Sequence, residues 1–120
     1  MVYWYHSEIC ACAGGIACMY ESRIMNERTD RLVDALLKLE TREECYRLLE
    51  DLFTIREIED LSQRIQVAEL LSEKATYAEI TQKTGASSAT IGRVNRALTY
   101  GADGYRMILD RLNATGDTND

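Results

Sequence analysis

Apolar residues recur at every third or fourth position from Thr29 onward, which is the spacing of one face of an α-helix. Short polar stretches that contain Thr, Ser or Gly separate these runs. Thr29 or Asp30 is placed to cap a first helix, whose apolar positions are Leu32, Val33, Leu36, Leu37 and Leu39. No segment alternates as a half-buried strand would, so the pattern predicts an all-α fold of about six helices.

Three capping boxes predict where the next helices begin. In such a box a Thr side chain caps the helix, and a Glu three residues later bonds back to the cap. The pairs are Thr41 with Glu44, Thr54 with Glu57, and Thr76 with Glu79. The apolar stripes that follow the first two boxes are Cys45, Leu48, Leu49, Leu52 and Phe53, and then Ile55, Ile58, Leu61, Ile65 and Ala68.

Residues 77–96, YAEITQKTGASSATIGRVNR, fit the helix-turn-helix pattern. Gly85 takes the ninth place, where the tight turn needs a residue that tolerates positive φ. Thr84 departs from the apolar residue that is common at the eighth place, and Ser87 or Ser88 caps the second helix. Three apolar residues take the inward places at which the two helices pack: Ile80, Ile91 and Val94. An ordinary helical hairpin is the alternative interpretation.

The charge of the chain is unevenly distributed. The 120 residues carry a net charge of −6, and the pI of 4.8 argues on average against a nucleic-acid partner. Residues 26–73 carry seven basic and thirteen acidic groups, whereas residues 74–100 carry four cations against Glu79 alone. No acid lies between positions 83 and 102. The basic tract therefore coincides with the helix-turn-helix motif, which favours an anionic partner.

The second helix of the motif has an outward side that suits a DNA groove. Ala89 and the Thr90 methyl group can contact a thymine methyl group, and Arg93 and Arg96 can reach phosphates or guanine. Small side chains at its start allow the backbone to approach the groove closely. We predict a DNA-binding surface that comprises Lys74, Tyr77, Gln82, Lys83, Ser87, Ser88, Ala89, Thr90, Gly92, Arg93 and Arg96.

Residues 1–25 lack a helical period and are rich in Cys, Tyr and Trp. We favour an appended N-terminal extension ahead of a domain at residues 26–114 and a polar tail at 115–120; in one form of this interpretation Met25 is the native start. The alternative is a zinc site, although the C-x-C-x5-C spacing is not that of structural zinc knuckles; its ligands would be His6, Cys10, Cys12 and Cys18. Without a signal peptide or a long apolar run, we expect a cytoplasmic protein.

Residues 28–112 resemble the Trp repressor superfamily, and within it the YerC/YecD-type branch. The resemblance rests on RLVDALLKLETREECYRLLEDL, LFTIREIEDLSQRIQVAELL and GASSATIGRVNRALTYGADGY. It implies an intertwined homodimer whose two helix-turn-helix units project from one face toward double-stranded DNA. It also implies a sequence-specific transcriptional regulator, which we expect to be a repressor.

The resemblance also marks a candidate effector pocket. In the repressor, tryptophan lies between two arginines beside the reading helix, and these match Arg93 and either Arg64 or Gln63. Where the repressor has a glycine against the indole, this chain has Val94. The candidate pocket is therefore Arg64, Arg93 and Val94, which we expect not to respond to tryptophan. Another small-molecule effector stays open.

Two further classes of function compete with DNA binding. A helical protein-interaction adaptor without specific DNA binding is the second hypothesis, since the protein is acidic with only one basic tract. An enzyme is the third and is disfavoured: His6 is the only histidine, and Cys45 falls on an apolar helix face, where a buried thiol is usual. We expect no catalytic residues, no cofactor, no metal site and no membrane partner.

Overall fold

A computed structural model describes residues 20–114, which form six α-helices and no strand within that range. The helices are α1 (Glu27–Leu37), α2 (Arg42–Leu52), α3 (Ile55–Ser72), α4 (Tyr77–Thr84), α5 (Ser88–Tyr100) and α6 (Gly104–Ala114). The predicted all-α fold is confirmed. None of these helices is long and apolar enough to cross a membrane. The predictions for residues 1–19 and 115–120 lie outside the described residues, and so do all four candidate zinc ligands, His6, Cys10, Cys12 and Cys18.

The starts of α3 and α4 are the capping boxes that the sequence predicts. Thr54 Oγ1 accepts a hydrogen bond from Glu57 N at 3.1 Å, and Thr54 N donates to Glu57 Oε1 at 2.9 Å. The same reciprocal pair joins Thr76 and Glu79 at 3.2 and 2.9 Å. Each cap satisfies donors that have no partner inside the helix, which stabilises the protein by about 1 kcal/mol.

The starts of α1 and α2 differ from the prediction. Asn26 caps α1, since its Oδ1 accepts from Thr29 N at 2.9 Å, so Thr29 and Asp30 as caps are wrong. Asn is as favourable a cap as Asp, and its position adds nearly a turn to the helix. At α2, Thr41 Oγ1 accepts from Glu44 N at 3.1 Å as the box predicts, but Glu44 Oε1 accepts from Glu40 N at 2.8 Å, one residue before the expected Thr41 N.

The chain divides into two compact units, residues 1–47 and residues 48–120. In the described part of the first unit, α1 buries no side chain. The stripe predicted to be apolar is exposed by 41% to 68% at Leu32, Val33, Leu36 and Leu37. Cys45, expected to be buried, is half-buried. The apolar face of α1 is thus not covered by any of residues 20–114.

In the second unit, α3 contacts α4, α5 and α6 around a closed core. The buried residues are Val67, Ala68, Ile80, Ala86, Ile91, Val94 and Leu109. The inward places predicted for the helix-turn-helix are confirmed, because Ile80, Ile91 and Val94 are at most 2% exposed.

The apolar stripe of α3 has a different outcome. Of the predicted stripe, Ala68 is buried and Ile58 is half-buried, whereas Ile55, Leu61 and Ile65 are at least 38% exposed. The buried face contains Val67, which lies about 200° around the helix from Ile65 at 100° per residue. α3 carries apolar residues on more than one side, and periodicity alone cannot tell which side the neighbouring helices cover.

Candidate nucleic-acid interface

α4, a three-residue turn and α5 form the helix-turn-helix motif. Gly85 ends α4 with φ of 77° and ψ of 3°, and its N–H donates to Thr81 O at 2.8 Å. An added Cβ at Gly85 would meet nothing within 4 Å, so lack of space does not exclude a larger residue. Glycine is favoured at this position by the left-handed backbone conformation alone. Ser87 caps α5, since its Oγ accepts from Thr90 N at 3.2 Å. The alternative cap, Ser88, is wrong, because Ser88 is the first residue of the helix.

The turn uses the polar residue that departs from the usual pattern. Thr84 Oγ1 donates to Ile80 O at 2.8 Å and accepts from Ala86 N at 3.1 Å. The Thr84 carbonyl accepts from Gln63 Nε2 on α3 at 3.1 Å. A hydroxyl at this place therefore organises the turn, which an apolar side chain could not do. Sequence reasoning missed this role for Gln63, and nothing in the local pattern points to it.

α5 presents its predicted groove-facing side to solvent. Ser88, Ala89, Arg93 and Arg96 are exposed, while Thr90 and Gly92 are half-buried. The Thr90 hydroxyl also accepts a hydrogen bond from Ser87 Oγ at 3.2 Å. Any contact between Thr90 and a base would therefore use the remaining capacity of that hydroxyl.

Nothing in the described part of the chain requires a glycine at position 92. A Cβ added at this position would meet nothing within 4 Å, and its φ is not in the left-handed region. A glycine inside a helix costs about 1 kcal/mol relative to alanine. This destabilising glycine lies within α5, the helix whose outward side is predicted to approach DNA.

The remaining predicted contacts lie on α4 and in the turn between α3 and α4. Lys74, Gln82 and Lys83 are exposed, and Tyr77 is 43% exposed. Lys74 has φ of 69°, a left-handed conformation that glycine usually takes. It follows the end of α3, where Lys74 N donates to Leu71 O and Ala75 N donates to Leu70 O, both at 3.0 Å. These two bonds form a Schellman motif with a lysine in the glycine place.

The charges of α5 and α3 have opposite balance. α5 contains Arg93 and Arg96 and no acid, whereas α3 contains two arginines and four acids. Glu79, the one acid within the motif, has its carboxylate bonded to Thr76 N in the α4 cap. The outward side of α5 is therefore a cationic surface with no acid of its own.

The candidate effector residues lie in different surroundings. Arg64 is half-buried and lines a shallow pocket of about 260 Å³. The other residues that line this pocket are Phe53, Glu57, Asp60 and Leu61. Arg93 is exposed on α5, and Val94 is 2% exposed in the core, so neither belongs to this pocket.

Comparison with known proteins places this geometry in a family. A family model described as Trp repressor protein matches residues 27–113. The chain belongs to the Trp repressor family. It is 47% identical to the uncharacterized protein YerC of Bacillus subtilis (strain 168) over 97 residues, which are 81% of this chain and 93% of YerC.

Solved structures of the family share the fold. A candidate Trp repressor from Staphylococcus aureus is 50% identical with a TM-score of 0.74, and the match covers 82% of this chain and all of that one. A TrpR-like protein from Eubacterium eligens ATCC 27750 is 44% identical with a TM-score of 0.73, covering 83% of this chain and all of that one. The resemblance stated from the sequence is confirmed, and the family is a regulatory one.

Proposed function

We propose that this member of the Trp repressor family is a sequence-specific DNA-binding transcriptional regulator, a repressor that reads the major groove with α5. The observation that carries the proposal is the outward side of α5, which is small, polar, cationic and free of acids. Its inward side is locked into a closed core, so the helix is presented rigidly. Major-groove recognition by a helix-turn-helix needs this combination.

Each predicted contact has an assigned role. Ala89 and Thr90 contact base edges near the start of α5, and Arg93 contacts a guanine or a phosphate. Gly92 leaves room for the DNA backbone or a base edge beside the helix. The remaining residues bind phosphates, which fix the register of the protein on the duplex; they are Lys74, Tyr77, Gln82, Lys83, Ser87, Ser88 and Arg96.

We propose that the functional form is a homodimer. The support is the apolar surface that this chain leaves exposed on α1, α3 and α6, including Leu36, Ile65 and Met107 at 42%, 38% and 48%. A second copy would bury such surface, and two reading helices would then meet half-sites about 34–36 Å apart. Sedimentation equilibrium of the wild type and of Leu36→Glu tests this. We expect a dimer and a weakened dimer, and a monomeric wild type would contradict it.

We propose that tryptophan is not the effector. The side chain of Val94 stands where the repressor has a glycine, and it is 2% exposed among Ile80, Ile91 and other core residues. Repositioning it for an indole would open the core. Calorimetry of the protein with L-tryptophan is expected to give no binding heat, and DNA capture is expected to be the same with and without it. Tryptophan binding that tightens DNA capture would contradict this.

The experiment that tests the DNA-binding function begins with selection of bound fragments from genomic DNA at fixed salt. The selected site is then used in gel-shift titrations of Thr90→Ala and Arg93→Ala. We expect each variant to lose about 1–3 kcal/mol of specific binding, as for a direct base contact. Arg56→Ala is the matched control, since Arg56 is an exposed arginine on α3 outside the interface.

Two results would contradict the function. If the wild type selects no fragment, the protein-interaction adaptor becomes the better hypothesis. If Thr90→Ala and Arg93→Ala bind the selected site as tightly as Arg56→Ala does, the protein binds DNA but α5 is not the reading helix.

A further inference from the structure

One side chain links α3 to the turn that precedes the proposed reading helix. Gln63 Nε2 donates to the Thr84 carbonyl at 3.1 Å across 21 residues of sequence, and both residues are half-buried. The Thr84 carbonyl lies in the last turn of α4, where backbone carbonyls receive no hydrogen bond from within the helix. Gln63 therefore supplies the missing donor.

The bond continues through the turn to the start of α5. Thr84 Oγ1 holds Ile80 O on one side and Ala86 N on the other, at 2.8 and 3.1 Å. The next residue, Ser87, caps α5 through Thr90 N at 3.2 Å. Ala86 itself is 1% exposed, so the turn has little freedom to move as a separate loop. Three consecutive polar contacts thus relate the start of α5 to α3.

We propose that Gln63 is a positioning residue that holds α5 in its DNA-reading orientation. The proposal rests on the proposed function, because it concerns how the same helix meets DNA. A side-chain amide from α3 thereby contributes to the orientation in which α5 is presented.

Two substitutions remove the bond in different ways. Gln63→Met keeps the length of the side chain without a donor, and Gln63→Glu keeps the shape but presents a carboxylate that cannot donate at neutral pH. Gln66→Glu is the matched control. Gln66 is exposed on the same helix, and its substitution introduces the same charge three residues from Gln63. Leu109→Val is the stability control, because it loosens the core from α6 without touching the turn.

The readout is the ratio of affinities for the selected site and for a scrambled duplex, at one salt concentration. We expect both Gln63 variants to lower this ratio at least about fivefold, since one misplaced orienting hydrogen bond costs that order of equilibrium constant. Affinity for the scrambled duplex should stay within about twofold, because phosphate contacts tolerate a shifted helix. Gln66→Glu and Leu109→Val should keep the wild-type ratio.

Amide hydrogen exchange provides an independent measurement. The Ala86 N–H should exchange faster in Gln63→Met than in Leu109→Val at equal global stability, because only the first loosens the turn. An unchanged affinity ratio in both Gln63 variants, alongside weakened binding by Thr90→Ala and Arg93→Ala, would overturn the positioning role and leave the proposed function intact. Equal loss in Leu109→Val would also overturn it, since stability alone would then explain the effect.

Discussion

The two sides of α5 differ in what accounts for them. Ile91 and Val94 on the inward side are at most 2% exposed, and their identity follows from the core that they fill. Arg93, Asn95 and Arg96 on the outward side are exposed and make no hydrogen bond through their side chains within the described chain. The inward side is determined by the stability of one chain, and the proposed function assigns the outward side to DNA. Substitutions on the two sides should therefore affect different measurements.

The largest expected effect is on the inward side. Ile91→Ala should lower the free energy of unfolding by about 2–5 kcal/mol, because it leaves a cavity beside Val67 and Ile80 in a closed core. Urea denaturation at constant protein concentration measures it. Asn95→Ala, on the other side of the same helix, should stay within about 0.5 kcal/mol. Equal losses from the two substitutions would remove the distinction between the sides.

Gly92→Ala sharpens the distinction, because its two effects have opposite signs. The added methyl group meets nothing within 4 Å, so the free energy of unfolding should rise by about 0.5–1 kcal/mol through helix propensity. The same methyl group should weaken binding to the selected DNA site by about tenfold, if α5 lies against the groove. Thermal denaturation and gel shift measure the pair, and Gly104→Ala is the control with open space and no expected change in DNA binding.

Lys74→Gly extends the test to a flanking residue and has the smallest expected effect. Removing the side chain from a φ of 69° should raise the free energy of unfolding by up to about 1 kcal/mol. Loss of the cation should reduce the slope of log affinity against log salt by about 1, as for one phosphate contact.

Asp103→Gly is the control for this last pair of effects. Asp103 also has a positive φ, of 68°, but lies before α6 and outside the interface, so its salt slope should not change. A Lys74→Gly protein with the wild-type salt slope would mean that Lys74 does not contact phosphate.

The sequence predicts well what depends on neighbouring residues. The capping boxes at Thr54 and Thr76, the left-handed Gly85 and the inward Ile91 and Val94 all follow from spacing of a few positions, and the structure has them. The start of α1 was missed because an Asn cap without a following Glu gives a weaker signal than a box.

What depends on packing between helices could not be predicted. The stripe that the sequence predicts on α3 includes the buried Ala68 but also the exposed Ile65, and it leaves out the buried Val67, since more than one side of the helix carries apolar residues. The bond from Gln63 to Thr84 joins positions whose approach is decided only by the folded arrangement of α3 and α4. The DNA contacts of the outward side remain predictions, because they form only when the protein binds DNA and contribute nothing to the folding of the chain.

The unequal charges of α3 and α5 also bear on how fast a complex could form. A duplex carries a dense negative charge, so it repels the acidic surface of α3 and attracts the acid-free side of α5. In the proposed complex, the resulting torque would turn the molecule before contact, and fewer encounters would be lost to wrong orientations. Added salt shortens the range of this torque, so the association rate should fall with ionic strength more steeply than the dissociation rate rises.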